Sequence, residues 1–135
     1  MLRAFLKKLP GLDDKRVLEV ACGDGCLTKD LLHEWFKKID LFDQCPKAIA
    51  KVNLMKESID AIDNVGLADM MSFKFQHTYS AIILRWCIGY LNERQLVDFL
   101  MRAKYWLKKD KKRLTRQKGF VAYIIVFDNV ASDGR

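Results

Sequence analysis

The sequence predicts an α/β fold, a doubly wound and mostly parallel sheet of about five strands with helices on both faces. Three observations predict it. Short apolar runs that are typical of buried strands alternate along the 135 residues with amphipathic segments. A small glycine-bearing turn at residues 21–25 joins the first such run to a helix. The acid Asp43 ends the second run, 18 residues after Gly25, and this layout is typical of a nucleotide site whose acid binds ribose hydroxyls.

The first part of the chain predicts two helices and two strands. Residues 2–9 are expected to form a short helix, and the apolar run at residues 16–20 the first strand. Apolar residues at helical spacing predict an amphipathic helix over about residues 27–36. Residues 39–42 form the second predicted strand, which leads directly to Asp43.

The middle of the chain predicts one helix and two further strands. Pro46 suits the first turn of a helix that runs to about residue 60, because its missing N–H would be unpaired there anyway. Residues 63–68 form a weak third strand and residues 80–84 a fourth. The segment between them, residues 69–78, follows neither period and is left unassigned.

The last predicted helix and strand carry the clearest local signals. Asn92 is expected to cap a helix, with Gln95 three residues later in the capping-box position. The apolar face of this helix consists of Leu96, Phe99, Leu100, Ala103 and Leu107. Residues 120–127 form the fifth strand, and their almost unbroken apolar character is typical of a strand at the centre of a sheet.

Composition and charge exclude several classes of protein. No apolar run reaches membrane-spanning length, so we expect no membrane partner. The four cysteines lack zinc-pair spacing, which predicts no metal and a reduced, intracellular protein in the cytoplasm or nucleus. Much of the net charge of +7 lies in a basic run at residues 108–118. That run is interpreted as a solvated loop rather than a nucleic-acid patch, because no aromatic residues interleave its charges.

The candidate site lies where the predicted strands end, since ligands of parallel sheets bind at the carboxyl ends of the strands. The turn contains neither the G-x-G-x-x-G of nicotinamide sites nor a Gly-Lys-Ser/Thr phosphate loop. Glu19, an acid just before the turn, favours a cofactor that carries positive charge. S-adenosylmethionine fits, with its ammonium, its sulfonium and no phosphates. A tight turn without any ligand is the alternative.

Residues 19–25 resemble the first motif of the Rossmann-like class I S-adenosylmethionine-dependent methyltransferases, E/D-x-G-x-G-x-G, with Ala21 at the first glycine. Further segments at residues 40–43, 66–69, 85–91 and 127–131 are similar to the protein N-terminal (alpha-N) methyltransferases. The resemblance implies methyl transfer to the α-amino group of proteins that start X-Pro-Lys or X-Pro-Arg. It covers most of the chain and is weakest before residue 17.

The resemblance also implies a role for each matching residue. The cofactor would be bound by Glu19, Ala21, Gly23, Gly25, Asp43, Leu67, Ala68 and Arg85. The peptide substrate would be bound by Trp86 and Asn129. The catalytic residues would be Asp128, Asn129 and Tyr90, with Asp128 orienting the amine or accepting its proton.

Several positions depart from the family pattern. Cys26 stands where the family has an arginine that grips the cofactor carboxylate, and Tyr90 stands where it has a histidine. Ala68 and Arg85 each replace a glutamine. The chain is expected to be one domain over residues 1–135, incomplete at both ends and lacking the family's C-terminal hairpin, so that a protein partner covers the edge of the fifth strand. Two alternatives stay open: an inactive subunit that stabilises a partner, and a methyltransferase for a small molecule or nucleic acid.

Overall fold

A five-stranded parallel sheet forms the centre of the protein. The computed structural model describes residues 2–85, 87–109 and 122–127. The strands are β1 (Arg16–Val20), β2 (Lys38–Asp43), β3 (Ile62–Leu67), β4 (Ala81–Arg85) and β5 (Tyr123–Phe127). Their order in the sheet is β3-β2-β1-β4-β5, and every described pair is parallel. The order reverses between β1 and β4, which is the switch point where such sheets bind ligands. The doubly wound fold predicted from the sequence is confirmed.

Helices cover both faces of this sheet. They are α1 (Leu2–Lys8), a π-helical turn (Thr28–Leu32) that leads into the short α2 (His33–Trp35), α3 (Pro46–Lys56), a 3-10 turn (Ile88–Tyr90) and α4 (Glu93–Tyr105). The π turn replaces part of the regular helix predicted at residues 27–36; the apolar spacing of the sequence does not distinguish the two, and such turns are frequent at functional sites. Helix α3 ends four residues before the predicted end, because its last turn tightens through hydrogen bonds from Glu57 and Ser58 to the carbonyls of Leu54 and Met55.

Alternate residues of the strands supply two hydrophobic cores. One core packs Val17, Leu41 and Ile83 under α1, the π turn and α3. The other packs Leu18 and Ile82, from the same strands, under α4 and the segment that precedes β4. The two cores hold the carboxyl ends of β1, β2 and β4 at one edge of the sheet.

The fifth strand is the last strand of the described sheet, and its predicted central position stays a prediction. It pairs only with β4 among the described residues, and Val126 is 45% exposed. An apolar run predicts that both faces of a strand are covered, but it does not predict whether the strand pairs along both of its edges. Residues 120 and 121 of the predicted strand lie outside the described residues.

The capping box predicted for α4 is confirmed. The Asn92 side chain accepts a hydrogen bond from the Gln95 backbone N–H at 2.8 Å, and the Gln95 side chain accepts one from the Asn92 N–H at 3.0 Å. Phe99 and Ala103 are fully buried on the face that was predicted to be apolar. The capping box therefore sets the first residue of this helix, and the buried face of the helix packs against the sheet.

A buried polar network joins β1, β2 and β3 on the face of the sheet that packs against α4. The Asp40 carboxylate accepts hydrogen bonds from the Arg16 guanidinium and the Tyr79 hydroxyl, each at 2.7 Å, and from the Asn64 backbone and side chain. Arg16 also forms an ion pair with Asp63 at 2.8 Å. Asp40 is a buried charge whose partners are all in place, which is the condition under which such a charge is tolerated.

Candidate functional site

A cleft of about 910 Å³ opens at the carboxyl ends of β1, β2 and β4. Most of the predicted site residues that the structure describes line it: Glu19, Ala21, Gly23, Asp43, Ala68, Arg85 and Tyr90. They come from the ends of four strands, β1 to β4, and from the 3-10 turn, and the parallel sheet brings these ends together. The structure thus has a cleft at the strand ends where the site is predicted.

The turn after β1 has a left-handed backbone at three alternate residues. The φ angles are 51° at Ala21, 59° at Gly23 and 85° at Gly25. Alanine in this region carries a cost of about 1 kcal/mol that glycine avoids. A Cβ atom built on Gly23 would meet nothing within 4 Å, so the backbone there presents an open face to the cleft. A ligand can approach the chain closely at this point.

Gly25 serves packing rather than the cleft. A Cβ atom there would lie 2.6 Å from the Met55 side chain and 3.2 Å from that of Val52, both on α3. Gly25 is absent from the cleft lining, and its predicted contact with the cofactor stays a prediction. Its glycine allows the turn to lie against α3. Leu67 also lies outside the cleft lining, although its neighbour Ala68 lies in it. Its side chain is 58% exposed.

The Asp43 carboxylate links the turn to the start of α3. One oxygen accepts the Gly23 N–H at 2.8 Å, and the other accepts the Cys45 N–H at 2.9 Å. Each carboxylate oxygen has a second acceptor site, so both can also accept a hydroxyl from a ligand. The position of this acid is thus set by two backbone donors before any ligand binds.

Glu19 is the buried acid of the cleft, with 3% of its surface exposed. The Thr28 hydroxyl, at the first residue of the π turn, donates to it at 2.7 Å. Burial raises the pKa of Glu19 from 4.5 to about 7, although the hydrogen bond from Thr28 and the charge of Arg85 oppose the rise. The carboxylate can therefore change charge near neutral pH.

The opposite wall comes from the segment that sequence patterns left unassigned. Asp69 accepts the backbone N–H groups of Met71 and Ser72, each at 2.8 Å, which lowers the pKa of Asp69. The Arg102 guanidinium of α4 donates to the carbonyls of Met70 at 2.8 Å and Phe73 at 3.1 Å. Met70 and Met71 thereby line the cleft. The Asp-x-x-Ser spacing at residues 69–72 is the local signal that could have indicated this turn.

Three cysteines also line the cleft, and no spacing in the sequence indicates that all three lie there. They are Cys22, Cys26 and Cys87. The exposed Cys26 thiol donates to the Asp24 carboxylate at 3.0 Å, and this contact raises the pKa of Cys26. Burial raises the pKa of Cys22. Both thiols are thus held in their neutral form.

The remaining predicted residues lie at the mouth of the cleft or beyond what the structure describes. Tyr90 lines the mouth with 80% of its surface exposed. Trp86, Asp128, Asn129 and most of the basic run, residues 110–118, lie outside the described residues. Their predicted roles stay predictions.

The lining suits a nucleoside ligand that has hydroxyl, ammonium and carboxylate groups and no phosphate. Among the described residues of the cleft the acids are Glu19, Asp24, Asp43 and Asp69, and the only positive side chain is Arg85. So acidic a lining repels phosphates, whereas Asp43 can accept ribose hydroxyls and Glu19 suits an ammonium. The open backbone at Gly23 leaves room for such a ligand. These residues therefore fit S-adenosylmethionine.

Fold and site together define a domain of the S-adenosylmethionine-dependent methyltransferase class. Comparison with known proteins narrows the class: the model of the AdoMet dependent proline di-methyltransferase family matches residues 1–134. The chain belongs to this family.

Similar proteins and structures agree with this assignment. The chain is 29% identical over 118 residues to N-terminal Xaa-Pro-Lys N-methyltransferase 1 of Xenopus tropicalis, covering 86% of this chain and 48% of the relative. It is 29% identical over 139 residues to the Danio rerio enzyme of the same name, covering 98% and 57%. A solved SAM-dependent methyltransferase of Leishmania major superposes with a TM-score of 0.76 at 25% identity, covering 79% of this chain and 44% of that one. The chain spans about half the length of the curated relatives it matches.

The described residues add two negative observations. No helix among them is long and apolar enough to cross a membrane. No three His, Cys, Asp or Glu side chains come together within the described ranges as a metal-binding group.

Proposed function

We propose that this chain binds S-adenosylmethionine in the cleft and transfers its methyl group to the α-amino group of proteins that start X-Pro-Lys or X-Pro-Arg. The observation that carries the proposal is the family match over residues 1–134, because that match spans the whole set of residues around the cleft. The curated relatives named as N-terminal Xaa-Pro-Lys N-methyltransferases support the same substrate class.

The residues of the cleft divide the work of holding the cofactor. When bound, S-adenosylmethionine supplies an electrophilic methyl group on its sulfonium. Asp43, fixed by the Gly23 and Cys45 N–H groups, would accept hydrogen bonds from the ribose hydroxyls. The open backbone at Gly23 would let the methionine part approach the chain, and the buried carboxylate of Glu19 would suit its ammonium. Such alignment is the main source of rate in an in-line displacement.

The acceptor must be a neutral amine. An α-amino group has a pKa of about 7.7–8.0, so its deprotonation near neutral pH costs little free energy. We assign to Asp128 the orientation of this amine or acceptance of its proton, and to Asn129 and Trp86 the binding of the peptide. Tyr90 lies at the cleft mouth, where it can contact the peptide, although a tyrosine hydroxyl is a poor base at neutral pH.

A peptide assay tests the proposal. A peptide that begins Ser-Pro-Lys is incubated with the chain and methyl-labelled S-adenosylmethionine, with an N-acetylated copy of the peptide as the matched control. We expect label only in the peptide with the free amine, located at the α-nitrogen by mass spectrometry. Equal labelling of both peptides, or labelling of a nucleic acid instead, would contradict the substrate assignment.

A second candidate is an inactive subunit that stabilises a partner protein. The exposed, neutral thiol of Cys26 and the exposed hydroxyl of Tyr90 favour it, because neither group supplies the charge or base expected at these positions. The partner would pair along the outer edge of β5, which is unpaired among the described residues. Cofactor binding without transfer to any free-amine peptide would select this candidate.

A further inference from the structure

Arg85 lies beside the glycine-bearing turn and on the same face of the sheet as Glu19. It is the last residue of β4, and the pairing of Val20 with Leu84 places it next to Ala21, the first residue of the turn. Ile83 packs in the core that contains Val17. Because side chains alternate along strands, Arg85 and Glu19, each two residues further on, point to that same face.

The cleft gives this side chain an unusual electrostatic setting. Among its described lining residues, four are acids and Arg85 alone is positive. The charge of Arg85 acts on both Glu19 and Cys26, opposing the rise in the pKa of each. The guanidinium is therefore within electrostatic reach of the strand that enters the turn and of the helix that leaves it.

We propose that Arg85 binds the α-carboxylate of the cofactor's methionine part. This inference rests on the proposed function and adds to it the group that discriminates among cofactors. The methionine part would bring one carboxylate into the cleft. Apart from Arg85, the charged side chains among the described lining residues are acids, and these would repel that carboxylate. A guanidinium offers parallel N–H donors that match a carboxylate, and such charge-assisted pairs are the strong ones. Arg85 thus selects a cofactor with an intact amino-acid group over a nucleoside without one.

Calorimetric titration with two ligands tests the inference. S-adenosylmethionine and decarboxylated S-adenosylmethionine differ only in the carboxylate that Arg85 is proposed to bind. We expect Arg85→Ala to raise the Kd for S-adenosylmethionine by about 10- to 100-fold, as the loss of a charged hydrogen-bonded pair implies. The Kd for the decarboxylated ligand should change by less than about 3-fold by the same reasoning. Wild type should prefer the intact ligand, and the variant should lose that preference.

Two further variants complete the design. Arg85→Lys keeps the charge but loses the parallel donors, so its loss should be intermediate. Arg94→Ala removes an exposed arginine of α4 that lies outside the cleft lining, and both affinities should stay at wild-type values. If Arg85→Ala does not fold, as judged by circular dichroism, the two ligands are compared on Arg85→Lys.

The outcomes separate this inference from the function on which it rests. Equal weakening of both ligands would show that Arg85 maintains the shape of the cleft and would overturn the inference, as would unchanged affinity for S-adenosylmethionine. If wild type binds neither ligand, the proposed function itself fails and the inference fails with it. If wild type binds both and only the carboxylate-dependent difference is missing, the inference alone is wrong.

Discussion

The buried carboxylate of Glu19 makes the stability of the apo protein depend on pH in a predictable direction. Burial raises its pKa in the folded protein from 4.5 to about 7, whereas the unfolded chain keeps the ordinary value. The folded state therefore binds a proton more tightly than the unfolded state. The contribution of this group to stability is full below about pH 4.5 and is lost as pH rises through about 7.

The size of this loss follows from the shift in pKa. At about 1.4 kcal/mol for each pKa unit, a shift of this size corresponds to about 3 kcal/mol between the two ends of the window. Glu19→Gln removes the titration and keeps a carbonyl that can accept the Thr28 hydrogen bond. The variant should thus gain about 3 kcal/mol over wild type between pH 4.5 and pH 8, in the absence of cofactor.

Urea unfolding, followed by tryptophan fluorescence at intervals between pH 4.5 and 8, measures this difference. Glu57→Gln, which changes an exposed glutamate just after α3, is the matched control and should follow the wild-type curve. Parallel pH dependences for wild type and Glu19→Gln would contradict this prediction, because they would show that burial of the Glu19 carboxylate does not destabilise the folded protein.

The remaining predictions concern the turn, the polar network and the wall of the cleft. Gly25→Ala should lower the free energy of unfolding by about 2 kcal/mol, because of the positive φ of Gly25 and the contact of the new methyl group with Val52. Gly23→Ala should lower it by only about 1 kcal/mol and should mainly weaken cofactor binding. Equal effects of the two variants on urea unfolding and on calorimetric cofactor titration would contradict this. Tyr79→Phe should cost about 1–2 kcal/mol in urea unfolding, since it removes a buried donor to Asp40, and an unchanged midpoint would speak against that bond. Arg102→Ala should weaken cofactor binding several-fold in calorimetry, because the carbonyls of Met70 and Phe73 lose their donor; wild-type affinity would show that the wall holds without it.

Local signals in the sequence are enough to predict much of the fold and the position of the cleft at the strand ends. The bounds of β1 and the Asn92–Gln95 capping box agree with the structure, because apolar runs and caps depend on neighbouring residues. The position of Asp43 beside the turn follows from the parallel pairing of β1 with β2, a pairing that the alternation of strands and helices predicts.

Features that depend on distant contacts were not predictable in this way. The packing role of Gly25 requires Met55 and Val52 of α3, some 30 residues along the chain. The wall at Asp69 to Ser72 is held by Arg102 of α4, and no periodicity marks such a loop. The burial of Glu19 against Thr28 also arises from tertiary structure, which sets its pKa. Sequence patterns therefore place the site, whereas packing between elements determines its chemistry.

Calorimetric titration of the chain with S-adenosylhomocysteine tests most directly whether the cleft is a cofactor site. We expect one ligand to bind per chain, with affinity weakened at least about 10-fold in Asp43→Ala, because that change removes the acceptor for the ribose hydroxyls. Asp60→Ala, at an exposed acid after α3, is the matched control and should bind as wild type does. Absence of binding by wild type, or equal binding by Asp43→Ala, would show that the cleft is not the cofactor site.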